Sequence, residues 1–512
     1  RSKGRCAVGT NGRGGDALAD LAAAVGEADR GGSLYETANA LARVVVERAD
    51  ADEALRMLSA VRPRTWLRLD VELRSLRHFF HPRGEWQQIT AAAWAGANPL
   101  ALLLTACSGD GRLRQRAVHM PLMRSDQRLL PVLLIRTADW AKQVRDDARQ
   151  VLPTALDAAN TDGLIRAVGV ALAMREWQRG EGAFAAVTEA LRTRSDGTLD
   201  AARTSDDLQV RRLAYRVWLE SGHADSDALV AAALTEPDII CQSLSVDGVV
   251  RAAVRDRQRD ALDRLLAARF ARVRVEALAG LVQIGHPEAG EAFLADRSAM
   301  LRATAQWATR RAGRDAAERY RAMLASGDDS LLRAAVAGLG ECGAVDDAEL
   351  VAGFLWHDRP RVRAEAVRAV RRLGGALNQI ARMLTDPAPV VVRAVADAVL
   401  GQPGLVPIDR LWELVAADQP AHVRRTVFRL LIARDTWTRI EADLRLVGDS
   451  DDRLRPHARS NLTSWLDHEA STAYQMPPRT TRERLGRLID AAEPNIGAPK
   501  AHLLRWHLAL SR

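Results

Sequence analysis

The sequence predicts an all-α fold, an α-α superhelix of about a dozen two-helix repeats, and three observations carry that prediction. A two-helix unit is written twice in succession between Asp346 and Gly401. One arginine recurs along much of the chain at a nearly constant interval, and the 512 residues run on with no Pro/Gly/Ser-rich linker through the middle. A solenoid accommodates such length because each unit packs only on its neighbours and no single core has to grow.

In the first copy Leu350, Val351, Phe354 and Leu355 fall on one side of a helix, the spacing expected at 3.6 residues per turn. Asp358 is placed to accept from the free N–H groups of a second helix, and Pro360 suits its first turn. Val362, Ala366, Ala369, Val370 and Leu373 continue at helical spacing until Gly374-Gly375 supplies residues that tolerate positive φ. The second copy repeats the device with Asp386-Pro387, Val392-Arg393, Ala394, Ala396 and Gly401.

Taking the arginine as a register mark gives Arg302, Arg333, Arg363, Arg393, Arg424 and Arg455, at even intervals of about 30 residues, within the range of repeat architectures. Earlier marks are Arg274, Arg211, Arg145 and Arg114. The first six are expected to form a structural ladder, each guanidinium bonding to an acid or carbonyl of the adjacent turn. The pattern running from Asp358 through Val362-Arg363 to Ala366, and again from Asp386 through Val392-Arg393 to Ala396, resembles the HEAT-repeat family, and in its short period the HEAT-like repeats of phycobilin lyases. The resemblance implies fold more than function, because that family spans transport receptors, phosphatase scaffolds, condensin subunits, a few lyases and HEAT-like DNA glycosylases.

In chain order, residues 1–15 read as a disordered basic tail and 16–94 as a divergent helical cap. The repeat array occupies 95–470 and a C-terminal helical cap 471–512. In the first cap, Trp66 to Phe80 is amphipathic, with Leu69, Leu73, Leu76 and Phe80 inward. His78 and His81 stand at metal-sharing spacing without a third ligand. Asp139-Trp140 with Val144-Arg145 is the strongest local cluster, since HEAT-like glycosylases use Trp, Asp and Arg; Trp140 at a turn before a helix reads instead as packing. Trp177, Trp218, Trp307, Trp356, Trp412 and Trp437 read as filler between repeats. Asp449-Ser450-Asp451-Asp452 lacks the glycine and terminal glutamate of a calcium loop and is expected to cap a helix. Beyond residue 470, Thr480 opens one helix and Ala498 to Leu510 forms the last, with Leu503, Leu504 and Leu508 inward.

No GxSxG, HExxH, Walker loop or strand-borne GxGxxG is present, so no catalytic residue, cofactor site or metal site is predicted. His468-Glu469 stands alone where a di-iron hydroxylase needs repeated pairs. Cys6, Cys107, Cys241 and Cys342 are far apart and form no CxxC pair, as expected of buried or free thiols in a reducing cytoplasm. The net charge of +8 falls on residues 1–14 and 474–512, which carry +4 each, and leaves the body neutral. Three lysines among 73 basic residues point to a GC-rich, bacterial genome.

The function predicted is a non-catalytic scaffold for protein–protein interaction, with another protein or an acidic peptide as partner and no membrane. The alternatives are a nucleic-acid-binding or glycosylase-type repair protein and an enzyme-assisting lyase-like protein. On the second helix of the units, Arg361, Arg368 and Arg372 lie at i, i+7 and i+11. With Arg310, Arg311 and Arg314 in an earlier unit and Arg425 and Arg429 in a later one, they form the predicted basic strip for that partner.

Overall fold

The computed structural model describes residues 11–75, 84–222, 224–473 and 475–510. His78, His81, Leu76 and Phe80 lie outside the described residues, as does the tail up to residue 10; a helix then runs Asn11–Asp29. The fold class is all-α: among the described residues every regular element is an α-helix or a short 3-10 segment. The chain divides into two compact units, Arg1–Asp256 and Arg257–Arg512, each with its own apolar core.

In the second unit the repeats follow the arginine register. A short first element, such as Ala316–Ala325, Asp347–Ala352 or Ile408–Leu414, leads through a polar turn into a longer second helix. The second helices Ala299–Arg311, Leu332–Cys342, Pro360–Arg372, Pro389–Val399 and Ala421–Ile432 pack on one another in order. Their inner faces are mostly Ala and Val, including Ala335, Val336, Ala366, Val367, Ala394 and Val395, all buried. Small side chains let the backbones approach closely. At Gly340 a Cβ would stand 2.5 Å from the Cβ of Ala369 on the next helix.

The turn chemistry differs in detail from the expected capping. The side chain of Asp358 does not cap the Pro360–Arg372 helix; its carbonyl accepts from Arg363 at 3.0 Å. Gly374 ends that helix at φ +76°, where only glycine is unstrained. Asp451 behaves as a cap, accepting from the N–H groups of Arg453 and Leu454 at 2.9 and 3.0 Å.

In the first unit, Gly111–Val118, Lys142–Ala158, Glu181–Thr193, Leu208–Glu220 and Ile239–Asp256 form the second-helix layer. The amino-terminal helix Pro63–Leu73 lies against the first-helix layer, on Leu130–Arg136 and Thr161–Met174. Gly169 permits this approach, since a Cβ there would meet Pro63 Cγ at 2.8 Å. No single described helix is long and apolar enough to cross a membrane; the one bent pair that passes by length and composition, Glu85–Trp94 with Pro99–Ala106, has its second member wholly buried.

Candidate partner-binding face

The site rests on how the arginines hold the turns. Arg114, Arg145, Arg211, Arg274, Arg302, Arg363 and Arg455 each donate to the carbonyl six residues back, at 2.7 to 2.9 Å. Four also reach an acid in the next turn: Arg114 to Asp139, Arg211 to Glu236, Arg274 to Asp296 and Arg363 to Asp386. Arg424 does the same to Asp449. Each receiving acid also accepts the backbone N–H two residues later, as Asp386 does from Ala388 at 2.8 Å. One guanidinium therefore fastens its own turn to the next, and Arg114 and Arg363 do so in the bidentate geometry that arginine favours.

Of the six ladder positions, Arg363 and Arg424 reach an acid of the next turn; Arg302 reaches Glu341 on the Leu332–Cys342 helix and Arg455 reaches Asp452 of its own turn, and two positions depart further. Among the described residues Arg333 reaches only Glu365, at 3.3 Å, and it is half exposed. Arg393 is exposed and forms no hydrogen bond or ion pair among the described residues. His422 takes the Asp386 carbonyl instead, at 3.1 Å. Asp418, which follows Arg393 at the same interval as Asp449 follows Arg424, stays exposed.

The predicted strip lies on the second helices of the second unit. In Pro360–Arg372, the residues Arg361, Glu365, Arg368 and Arg372 fall at i, i+4, i+7 and i+11, one helical face. Two repeats earlier, Met300, Thr304, Trp307 and Arg311 keep that same spacing on Ala299–Arg311, so that Met300 matches Arg361 and Trp307 matches Arg368. Two glutamates join these helices to Leu332–Cys342 between them. Glu341 accepts from Arg302 at 2.5 Å and Gln306 at 2.9 Å and pairs with Arg372 at 4.0 Å. Glu365 pairs with Arg333 and, at 3.0 Å, with Arg368. Burial pushes the phenol of Tyr320 up, keeping it a neutral donor to the Leu294 carbonyl at 2.9 Å while it accepts from Gln306.

Of the strip residues, Arg310, Arg311 and Arg361 form no ion pair among the described residues, and Arg311 stands 6.0 Å from the centre of the Trp307 ring. Arg314 pairs with Glu291, Arg429 with Asp397 at 3.1 Å, and Arg425 with Asp451 through parallel bonds. The Arg425 guanidinium holds the Asp451 carboxyl down at about 2. The structure thus joins Arg361, Arg368, Arg372 and the Arg310–Arg311 pair to one set of neighbouring helices, while Arg314, Arg425 and Arg429 are committed to acids elsewhere.

Several tryptophans expected to be filler are not. Trp140 is 65% exposed and Trp356 67%, while Trp177 and Trp307 are partly exposed and Trp218 is buried. Trp140 and Trp356 sit in turns, and the Trp140 ring has the Arg114 guanidinium 5.4 Å from its centre. Leu503, expected inward, is 45% exposed, whereas Leu504 and Leu508 are buried. Beneath Trp140, Arg114, Arg136, Asp139 and Asp70 form a buried charge network. It ties the Pro63–Leu73 helix to two turns of the array.

The described residues contain no group of three or more His, Cys, Asp or Glu placed to hold a metal ion. His468 turns to the Ser464 carbonyl and Glu469 to Arg439. Cys107 and Cys241 are buried, and burial pushes their thiols up, away from thiolate chemistry.

No protein-family model matches the chain, and no curated protein matches it. Among solved structures it is similar to a chain of the complex in which Kap95p binding induces the switch loops of RanGDP to adopt the GTP-bound conformation. The two are 12% identical with a TM-score of 0.29, over 96% of this chain and 66% of that one. The chain therefore spans just under two thirds of that neighbour's length.

Proposed function

We propose that the chain is a non-catalytic scaffold of HEAT-like repeats that binds another protein through the second-helix layer of its second unit. The observation that carries this reading is the register-matched face of Ala299–Arg311 and Pro360–Arg372, where exposed Met300, Trp307, Arg311 and Arg361 stand on helices whose inner faces are fixed by small apolar residues. Trp and Arg are enriched at binding hot spots, Trp through its large rigid contact area and Arg through charge-assisted hydrogen bonds. The test is retrieval of partners from the native host by the tagged full chain. Reversal of Arg361, Arg368 and Arg372 to Glu abolishes retrieval while leaving the circular dichroism spectrum unchanged; if the folded variant still retrieves the same partners, the face is only a solvated surface.

One observation favours a second reading, nucleic-acid binding by the first unit. Trp140 is exposed and the Arg145 side chain donates to the carbonyls of Asp139 and Trp140 beside it. A solvent-facing indole next to a guanidinium is what base stacking with phosphate contact requires. Binding of a single-stranded oligonucleotide that is lost in Trp140→Ala supports it, and absence of binding removes it.

A further inference from the structure

The near-neutral body hides a separation of charge between the two layers of the second unit. Its seven second helices, from Ala271–Gln283 to Leu454–His468, carry 17 arginines and five acids, a net +12. The first elements of the same repeats, from Asp260–Leu266 to Thr436–Leu446, carry seven arginines and eleven acids, Asp443 included, a formal net −4. The excess peaks on the three consecutive helices Ala299–Arg311, Leu332–Cys342 and Pro360–Arg372, with nine arginines against Glu341 and Glu365. Asp386, in the turn beyond, is held by Arg363. Six guanidinium charges remain beyond what those three carboxylates balance.

We infer that this face takes an acidic, extended peptide with an apolar anchor, a partner chemistry that rests on the scaffold reading above. Two features point to carboxylates rather than phosphates. Glu341 and Glu365 each already lie between guanidiniums from two different helices, so the arginines are spaced to grip carboxylates. The apolar part of the face, Met300 at 50% and Trp307 at 36% exposure, offers one local anchor and no series of stacking platforms.

The register sets the length of the peptide. Met300 and Trp307 stand two helices away from Arg361, Arg368 and Arg372, and packed helices lie about 8 to 10 Å apart, so the span is roughly 16 to 20 Å. An extended chain rises about 3.3 Å per residue, so the apolar anchor and the acidic cluster are separated by about five or six residues. Guanidiniums at the far end close on the acidic side chains as charge-assisted pairs, which dissociate as salt screens them.

The test uses fluorescence anisotropy with the full chain and three labelled probes. The first is a peptide with a Leu-Phe pair separated by about five uncharged residues from four glutamates. The second has the same composition with the Leu-Phe pair inside the glutamates, and the third is single-stranded oligo-dT. The first probe is expected to bind, to weaken as salt rises from about 50 to about 300 mM, and to lose at least about tenfold in affinity, or about 1.4 kcal/mol, in R361E/R368E/R372E. Trp307→Ala weakens it less, and R319E/R382E on the first-helix layer leaves it unchanged. If the triple reversal perturbs the circular dichroism spectrum, R361Q/R372Q replaces it with the same expected direction. No binding of the first probe, equal binding of the second, an equal loss in R319E/R382E, or tighter binding of oligo-dT overturns the assignment. Partner retrieval that survives such a failure leaves the scaffold in place with a different partner chemistry.

Discussion

The guanidinium of Arg114 closes on the carboxylate of Asp139 through two hydrogen bonds of 2.9 and 2.8 Å, with both side chains fully removed from water. Burial pushes the Asp139 carboxyl up, but the Arg114 bond and the Arg136 charge outweigh it, and the net displacement is downward. Arg114 also holds the carbonyls of Ser108 and Gly109, so its removal strands two acceptors and leaves the buried Asp139 carboxylate with Arg136 and the Ala141 N–H in place of a full set of donors. Arg114→Ala is expected to cost about 3 to 5 kcal/mol in urea denaturation. Arg114→Lys restores little, because an ammonium cannot supply the fork. A loss below about 1 kcal/mol would place the pair among ordinary surface bridges.

Arg393 provides the control within the ladder. It stands at the same register as Arg363 yet is exposed and forms no bond among the described residues, whereas Arg363 holds His357, Asp358 and Asp386. Arg393→Ala should leave the stability within the range of neutral surface changes, about ±0.5 kcal/mol. Arg363→Ala should lower it clearly. Equal effects would mean that the register position matters and the bonds do not.

Gly340 reports on the closeness of the second helices. A Cβ at this position would lie 2.5 and 2.6 Å from the Cβ and Cα of Ala369, so Gly340→Ala must push two helices apart. The better helix propensity of alanine is worth about 1 kcal/mol in the opposite direction, and overpacking of a tight contact costs about 1 to 3 kcal/mol. The net effect expected is destabilising, measured by urea denaturation, and a stabilised variant would show that the helices are not in close contact.

Asp443 is fully buried, with one oxygen 3.3 Å from Asn461 Nδ2 and the other without a hydrogen-bond partner among the described residues. Burial pushes its carboxyl up to about 8 from the ordinary 3.8, opposed only in part by Asn461 and Arg439. The folded chain therefore holds this proton where the unfolded chain has lost it. The contribution is fully present below about pH 4 and is lost as pH rises through about 8. Asp443→Asn removes that dependence. The melting temperature of the variant should gain on the parent between about pH 5 and pH 8.5, and parallel curves would contradict the burial of an uncompensated carboxyl.

The repeat was legible because its signals are local. Val362-Arg363 with Ala366, or Val392-Arg393 with Ala396, writes a helix, its inner face and its register within a few residues. The partner of each arginine was not legible, because Asp386 and Asp449 serve a residue one repeat away and their sequence spacing varies with turn length. Arg393 shows the limit: the period places it correctly, yet Asp418 stays in solvent while His422 takes the carbonyl. Burial of tryptophans was misread for a related reason. Periodicity assigns helical faces, but Trp356 lies in a turn, where no face is defined, and Trp140, placed at a turn by the sequence, meets solvent there instead of packing. The anchor beside the strip, Met300 and Trp307, carried a signal that could have been used, its constant offset of two repeats from Arg361 and Arg368. It was hidden because one face is apolar where its counterpart is charged.

The most direct test of a chain held together by turn-to-turn arginine bonds is a double-mutant cycle on Arg363 and Asp386 in the full chain. Arg363→Ala, Asp386→Ala and the double variant are compared by urea denaturation monitored through helix content. A coupling energy of about 1 to 3 kcal/mol is expected, because the two residues share a pair of hydrogen bonds of 2.9 and 2.8 Å. Additivity within about 0.5 kcal/mol would contradict the account; neighbouring repeats would then be joined by apolar packing alone, and the recurrent arginine would be only a mark of register.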